Sequence, residues 1–267
     1  MTVRRQPDDP IRDDPTSSPG PETNALPRTL RDFPLGAIEN PVIDRTFPAA
    51  GLDVLRVRAR TLGNLMICFD AEEAARVIAA GDQPLLPTRI EREGAELVLI
   101  GSSLGSYLRH GQRQKILIEV HVPRHARVDV EMLAGVVMLN GGDGPVAIRG
   151  SFGEIAGVTQ TRELTARLKA GDVTLHELHA NADIRVSVGS VTLRWSALDG
   201  SELIDVRCGL AGIDLQLPPG VAPVEDTGGL FKRTTVETPG GTRINAQIGF
   251  GGLDVTEWAA DLTDEGR

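Results

Sequence analysis

LTARLKAGDVTL, residues 164–175, decides the fold of this chain. Leu164, Ala166 and Leu168 fall at every second position before Gly171, and Val173 and Leu175 do so after it. An alternation of period two marks a strand with one buried face, because successive side chains point to opposite sides of the backbone. A helix would place its apolar residues at i, i+3 and i+4, which this stretch does not do.

Working outward, the five-residue pattern glycine, any, apolar, any, apolar recurs at Gly135, Gly153, Gly171 and Gly189, a fixed 18 residues apart. The flanking segments are VDVEMLAGVVML (128–139), VAIRGSFGEIAG (146–157) and ADIRVSVGSVTL (182–193). Aligned on the glycine, Val130, Ile148, Ala166 and Ile184 form one column, and Val137, Ile155, Val173 and Val191 another. A fixed period with matching columns is the signature of a stacked repeat. The sequence therefore predicts an all-β, single-stranded parallel β-solenoid, or β-helix, of about 18 residues per coil, with coils about 4.8 Å apart. Glycine belongs where one strand corners into the next, since a residue without Cβ tolerates positive φ and close backbone contact.

The pattern continues less evenly at Gly63, at Ala211 in the glycine slot, and at Gly251. The longer step from Gly189 to Ala211 reads as a corner insertion at Ser196-Ala197-Leu198-Asp199-Gly200, and the step from Ala211 to Gly251 leaves room for one coil plus a longer loop. The expected organisation is a Pro/Asp-rich disordered tail at 1–29, a capping region at 30–127, the repeats at 128–258 and an acidic tail at 259–267. Six of the 17 prolines lie in the first 27 residues, too polar a stretch to offset its ordering entropy by burial. In the capping region, residues 52–58, 65–69, 96–100 and 116–122 read as strands. Residues 70–78 read as a short helix, with Asp70 and Glu73 at capping-box spacing and Gly81 beyond its end.

A net charge of −9 and a pI near 5.1 argue against nucleic acid or an anionic membrane as partner. No apolar h-region follows Arg4 and Arg5, and no apolar run reaches membrane-spanning length, so no membrane insertion and a cytoplasmic location are expected. Cys68 and Cys208 stand apart without metal-ligand spacing.

Ile118-Glu119-Val120-His121-Val122-Pro123, then Ala126-Arg127-Val128-Asp129-Val130 and Gly135-Val136-Val137, resembles the entry of the bacterial putative adhesin family, β-strand-repeat proteins of unknown function. Gly171-Asp172-Val173-Thr174-Leu175 is similar to that family's repeat unit, and the resemblance spans roughly residues 50–258. It implies a single-stranded right-handed stack with no known active site.

Four chemistries compete with plainer readings. Gly101-Ser102-Ser103-Leu104-Gly105 follows a strand, as a nucleophile elbow does, but the chain lacks the alternating strands and helices of a hydrolase, so a turn is the better reading of Ser103. His176 with His179, and His121 with His125, offer paired metal ligands only where the backbone turns between them. Glu154, Asp172 and Ser190 form an outward column that suits general acid/base work or glycan binding, although aromatic platforms are scarce beyond Trp195, Trp258 and Tyr107. Glu131, Arg149, Arg167 and Arg185 form a mostly basic column, fit to dock an acidic partner or to be neutralised by its neighbours. The sequence thus assigns no catalytic, cofactor or metal residue. Its preferred function is a non-enzymatic protein-interaction, scaffold or adhesin-like module, associating with a protein partner or itself through the solenoid ends or an outward face. The alternative is a carbohydrate-binding or carbohydrate-active β-helix.

Overall fold

A computed structural model describes residues 38, 41–81, 86–101, 116–220, 224–238 and 240–257. The tails expected at 1–29 and 259–267 lie outside them. In chain order the strands are β1 (Ile43–Pro48), β2 (Val54–Cys68), β3 (Ala74–Ala80), β4 (Arg89–Glu93), β5 (Glu96–Ile100), β6 (Leu117–His121) and β7 (Arg127–Asn140). They continue with β8 (Val146–Val158), β9 (Glu163–Leu178), β10 (Asn181–Trp195), β11 (Leu203–Leu217), β12 (Val224–Glu237) and β13 (Arg243–Glu257). The chain is all-β, and its strands pair one after another in a solenoid-like arrangement.

From β2 through β7, β8, β9, β10 and β11 to β13 the pairing is parallel. Val128 lies beside Val146, Val146 beside Leu164, and Leu164 beside Ala182. Ala182 then pairs with Ile204 and Ile204 with Ile244, so the steps lengthen where loops intervene. β7, β8, β9, β10 and β13 bend at a glycine, and β11 bends at Ala211. In β7, Val128, Val130 and Met132 are buried before Gly135, and Val137 and Leu139 after it, so the inward parity switches at the bend. The inward columns form one continuous core from Leu52 to Val255. Each fully buried Val, Leu or Ile in it contributes roughly 1.5–3 kcal/mol.

The glycine column has two separate demands. Gly135, Gly153, Gly171, Gly189 and Gly251 have φ between +135° and +148°. A Cβ on Gly171 would lie 1.7 Å from the carbonyl oxygen of Gly153, and one on Gly189 would lie 1.9 Å from that of Gly171. Ala211 occupies the same column at φ +130°, a backbone region costly for a residue with a Cβ.

Both ends of the parallel run change polarity. On the far side of β2, β5 pairs with Val54 to Arg58 and β6 with Asn64 to Cys68, so the two together cover both ends of β2. Antiparallel strands then follow: β4 on β5, β3 on β6 and β1 on β3. The sequence Arg89-Ile90-Glu91-Arg92-Glu93 makes β4 a charged edge, which discourages further strand addition.

The helix expected at 70–78 is not formed: Ala74–Ala80 is β3. Ala75, Val77 and Ala79 are fully buried on one face, Ala74 and Arg76 are exposed on the other, and Ile78 on that second face is also buried. Alanine and glutamate favour helix locally, but pairing on both sides with β1 and β6 outweighs that weak preference. The strands expected at 52–58 and 65–69 are one strand, β2, continuous through Gly63. The coil expected between Ala211 and Gly251 is likewise replaced. β12 runs antiparallel to β13 on its outer side, so β13 inserts between β11 and β12. A chain returning through a hairpin satisfies its backbone without travelling round another coil.

Glu202 secures this junction. Its buried carboxylate accepts hydrogen bonds from the Asp199 and Gly200 N–H groups and, at 2.6 Å, from the Thr242 hydroxyl. The 196–200 loop is thereby tied to the start of β13.

Candidate functional site

The residue just before the column glycine faces outward at the bend. In strand order these positions are Ala134, Phe152, Ala170, Val188, Leu210 and Phe250, each the register partner of the next, with Leu230 of β12 opposite Phe250. Phe152, Val188, Leu210, Phe250 and Leu230 are 49–69% exposed, and Phe231 beside Leu230 is 83% exposed. Six strand spacings of about 4.8 Å make this an apolar ridge about 29 Å long. Scattered exposed apolar residues are ordinary, whereas a contiguous line of them marks a contact surface.

Charged columns flank the ridge. Arg149, Arg167, Arg185 and Arg207 stack in register. Every one has a carboxylate nearby: Arg149 with Glu131 at 3.8 Å, Arg167 and Arg185 both with Asp183 at 3.0 Å, and Arg207 with Asp205 at 2.8 Å. Partial burial pushes the Asp183 carboxyl up, but the Arg167 and Arg185 guanidiniums outweigh it and hold it below its ordinary value. The column is a neutralised ladder of half-exposed pairs, each contributing little alone.

On the other flank Glu154 and Asp172 are register partners. Asp172 Oδ1 accepts from the Ser190 N–H at 2.8 Å and from the Ser190 hydroxyl at 2.6 Å. The regular ladder between β9 and β10 skips Ser190, and the Asp172 side chain takes its place. Trp195 is buried in the core, its indole N–H donating to the Ala180 carbonyl at 3.3 Å, and offers no platform to a sugar. Ser103, Tyr107 and Trp258 lie outside the described residues.

The histidine pairs do not converge. A bulge with Glu177 at φ +59° separates His176 from His179, whose Nε2 meets the Ser196 hydroxyl at 2.7 Å. Burial, with the Arg194 charge, pushes the His176 imidazole below its ordinary value. His125 is 3.7 Å from Asp53, while His121 joins a different set. His121 Nδ1 is 2.7 Å from Asp70 Oδ1, and Nε2 is 3.0 Å from Glu119 Oε1. Cys68 is the register partner of His121 and shares this cluster. Burial, then the charges of Glu119 and Asp70, push its thiol up to about 12 against a weaker opposing hydrogen bond from Asn140. The spacing Glu119-x-His121 places two donors on one face of β6, a signal present in the sequence, and Asp70 follows two residues after Cys68, the last residue of β2. What joins the two pairs is the β2–β6 register.

No family model matches the chain, and no curated protein matches it. Among solved structures it is similar to a putative cell adhesion protein from Clostridium sporogenes ATCC 15579, at 12% identity and a TM-score of 0.33, over 82% of this chain and 100% of that one. The cytoplasmic location expected from the sequence is withdrawn. The missing apolar segments on which it rested assign no compartment. No helix among the described residues is long and apolar enough to cross a membrane.

Proposed function

We propose that this chain is a parallel β-solenoid that works by protein association rather than catalysis, as a scaffold or adhesin-like module, and that its partner is a second copy of itself. The apolar ridge carries this reading. Along the stack it runs Ala134, Phe152, Ala170, Val188, Leu210, Phe250, Leu230. Set against its own reverse about a two-fold axis at Val188, small meets large and aromatic meets aromatic: Ala134 with Leu230, Ala170 with Leu210, Phe152 with Phe250. A ridge one side chain wide buries less than the roughly 800 Å² per partner of a standard interface, so the association is weak and depends on concentration.

Sedimentation velocity over a hundredfold concentration range tests it. The expected result is a monomer–dimer equilibrium whose Kd rises at least tenfold in F152D and F250D, with folding intact by circular dichroism. A monomer at all concentrations, or a dimer indifferent to both substitutions, overturns it.

A further inference from the structure

We infer that Cys68, Glu119 and His121 form a binding site for a zinc-type divalent transition metal, with Asp70 as the outer partner of the histidine. The inference is independent of the ridge. The parallel register sets Cys68 of β2 beside His121 of β6, and Glu119 precedes His121 by two residues, so all three side chains leave the same face of adjoining strands. Their candidate ligand atoms lie within 4.8 Å of one another. Ligands sharing a tetrahedral zinc at about 2.0–2.3 Å sit about 3.4–3.8 Å apart, so rotamer adjustments of under about 1.5 Å complete the set.

The hydrogen-bond geometry favours a cation. Nδ1 of His121 donates to Asp70 Oδ1 at 2.7 Å, the carboxylate–histidine arrangement that fixes the tautomer of a metal ligand and turns Nε2 inward. Nε2 then faces Glu119 Oε1 at 3.0 Å. A metal ion placed between Nε2 and Oε1 would bond both and would also take the Cys68 sulfur. Glu119 is 8% exposed, and an enclosed carboxylate favours cations beside it; the Arg76 charge on β3 already reaches it, and a metal ion would bond it directly. The mixture of thiolate, imidazole and carboxylate selects zinc-type ions over calcium or magnesium, which prefer oxygen alone. Three protein ligands leave a fourth position for water or another ligand. Because the set joins β2 to β6, bound metal also clamps the N-terminal strands onto the parallel run.

The probe is Co²⁺, with Zn²⁺ as competitor, added to the full chain after chelator treatment and dialysis. The expected result is one equivalent of Co²⁺ with a near-ultraviolet thiolate-to-cobalt band, displaced by Zn²⁺, and a rise in the thermal midpoint with either metal. C68S should lose the band, H121A and E119Q should weaken binding at least tenfold, and D70N should weaken it less. Cys208 is the chain's other thiol, so C208S must keep the band; this holds the inference open to refutation even where C68S fails to fold. No stoichiometric Co²⁺ binding, a spectrum without a thiolate band, or a band lost in C208S overturns it.

Discussion

The Asp172 carboxylate holds Ser190, 18 residues further along the chain, by both its backbone N–H and its hydroxyl, at 2.8 and 2.6 Å through one oxygen. A residue with the look of a general acid is thus a splint across a break in the ladder. D172A leaves that N–H without its partner and is expected to cost about 1–3 kcal/mol in urea unfolding, and S190A about 0.5–1.5 kcal/mol. A double-mutant cycle should return a coupling between them, and additive effects would show that the contact contributes nothing.

Ala211 and Gly171 occupy equivalent corners with opposite expectations. A211G relieves a Cβ at φ +130° and should stabilise by about 1 kcal/mol, the strain released exceeding the added entropy of the unfolded chain. G171A places a Cβ against the Gly153 carbonyl in addition to the unfavourable φ and should cost about 3 kcal/mol or more. Thermal midpoints of the two variants measure both.

Glu202 predicts an acid limb in the stability curve. Burial pushes its carboxyl up, but hydrogen bonds from the Thr242 hydroxyl and the N–H groups of Asp199, Glu202 and Gly200 outweigh this and leave it below its ordinary 4.5. A depressed folded-state value means the stabilisation is fully present above about pH 4.5 and is lost as pH falls through the lower folded value. Urea midpoints from pH 6 to pH 3 should fall less steeply in E202Q than in the parent chain. Equal slopes would show that the Glu202 carboxylate does not supply the linkage.

Trp195 anchors the end of β10 ahead of the 196–200 loop. It is fully buried, and W195A should cost about 3–5 kcal/mol, measured by guanidinium unfolding. W195F retains most of the packing and should cost clearly less, the remainder reflecting the lost indole N–H bond to Ala180.

Much of the strand content is legible locally. Alternation in residues 128–193 marks the inward columns because burial on a strand has period two, and the glycine column is legible because positive φ and close backbone contact disfavour any residue with a Cβ there. The Arg149–Arg185 ladder and the Glu154–Asp172 pairing are legible as columns too, although their partners Asp183 and Ser190 are not singled out by charge pattern alone. The ridge was hidden in plain view. Phe152 and Val188 sit beside the glycine, where the parity switch leaves period-two reasoning without a rule for which way they point.

By itself, the sequence of this chain determined that it forms strands, where they bend and which side chains fill the core, all properties set within a few residues by steric and hydrophobic preference. Tertiary structure alone decided that residues 74–80 extend rather than coil, that β12 folds back antiparallel on β13, and that Cys68 meets His121. Each of these depends on which distant strand supplies the next row of backbone hydrogen bonds. A pairing energy shared between two segments cannot be read from either one.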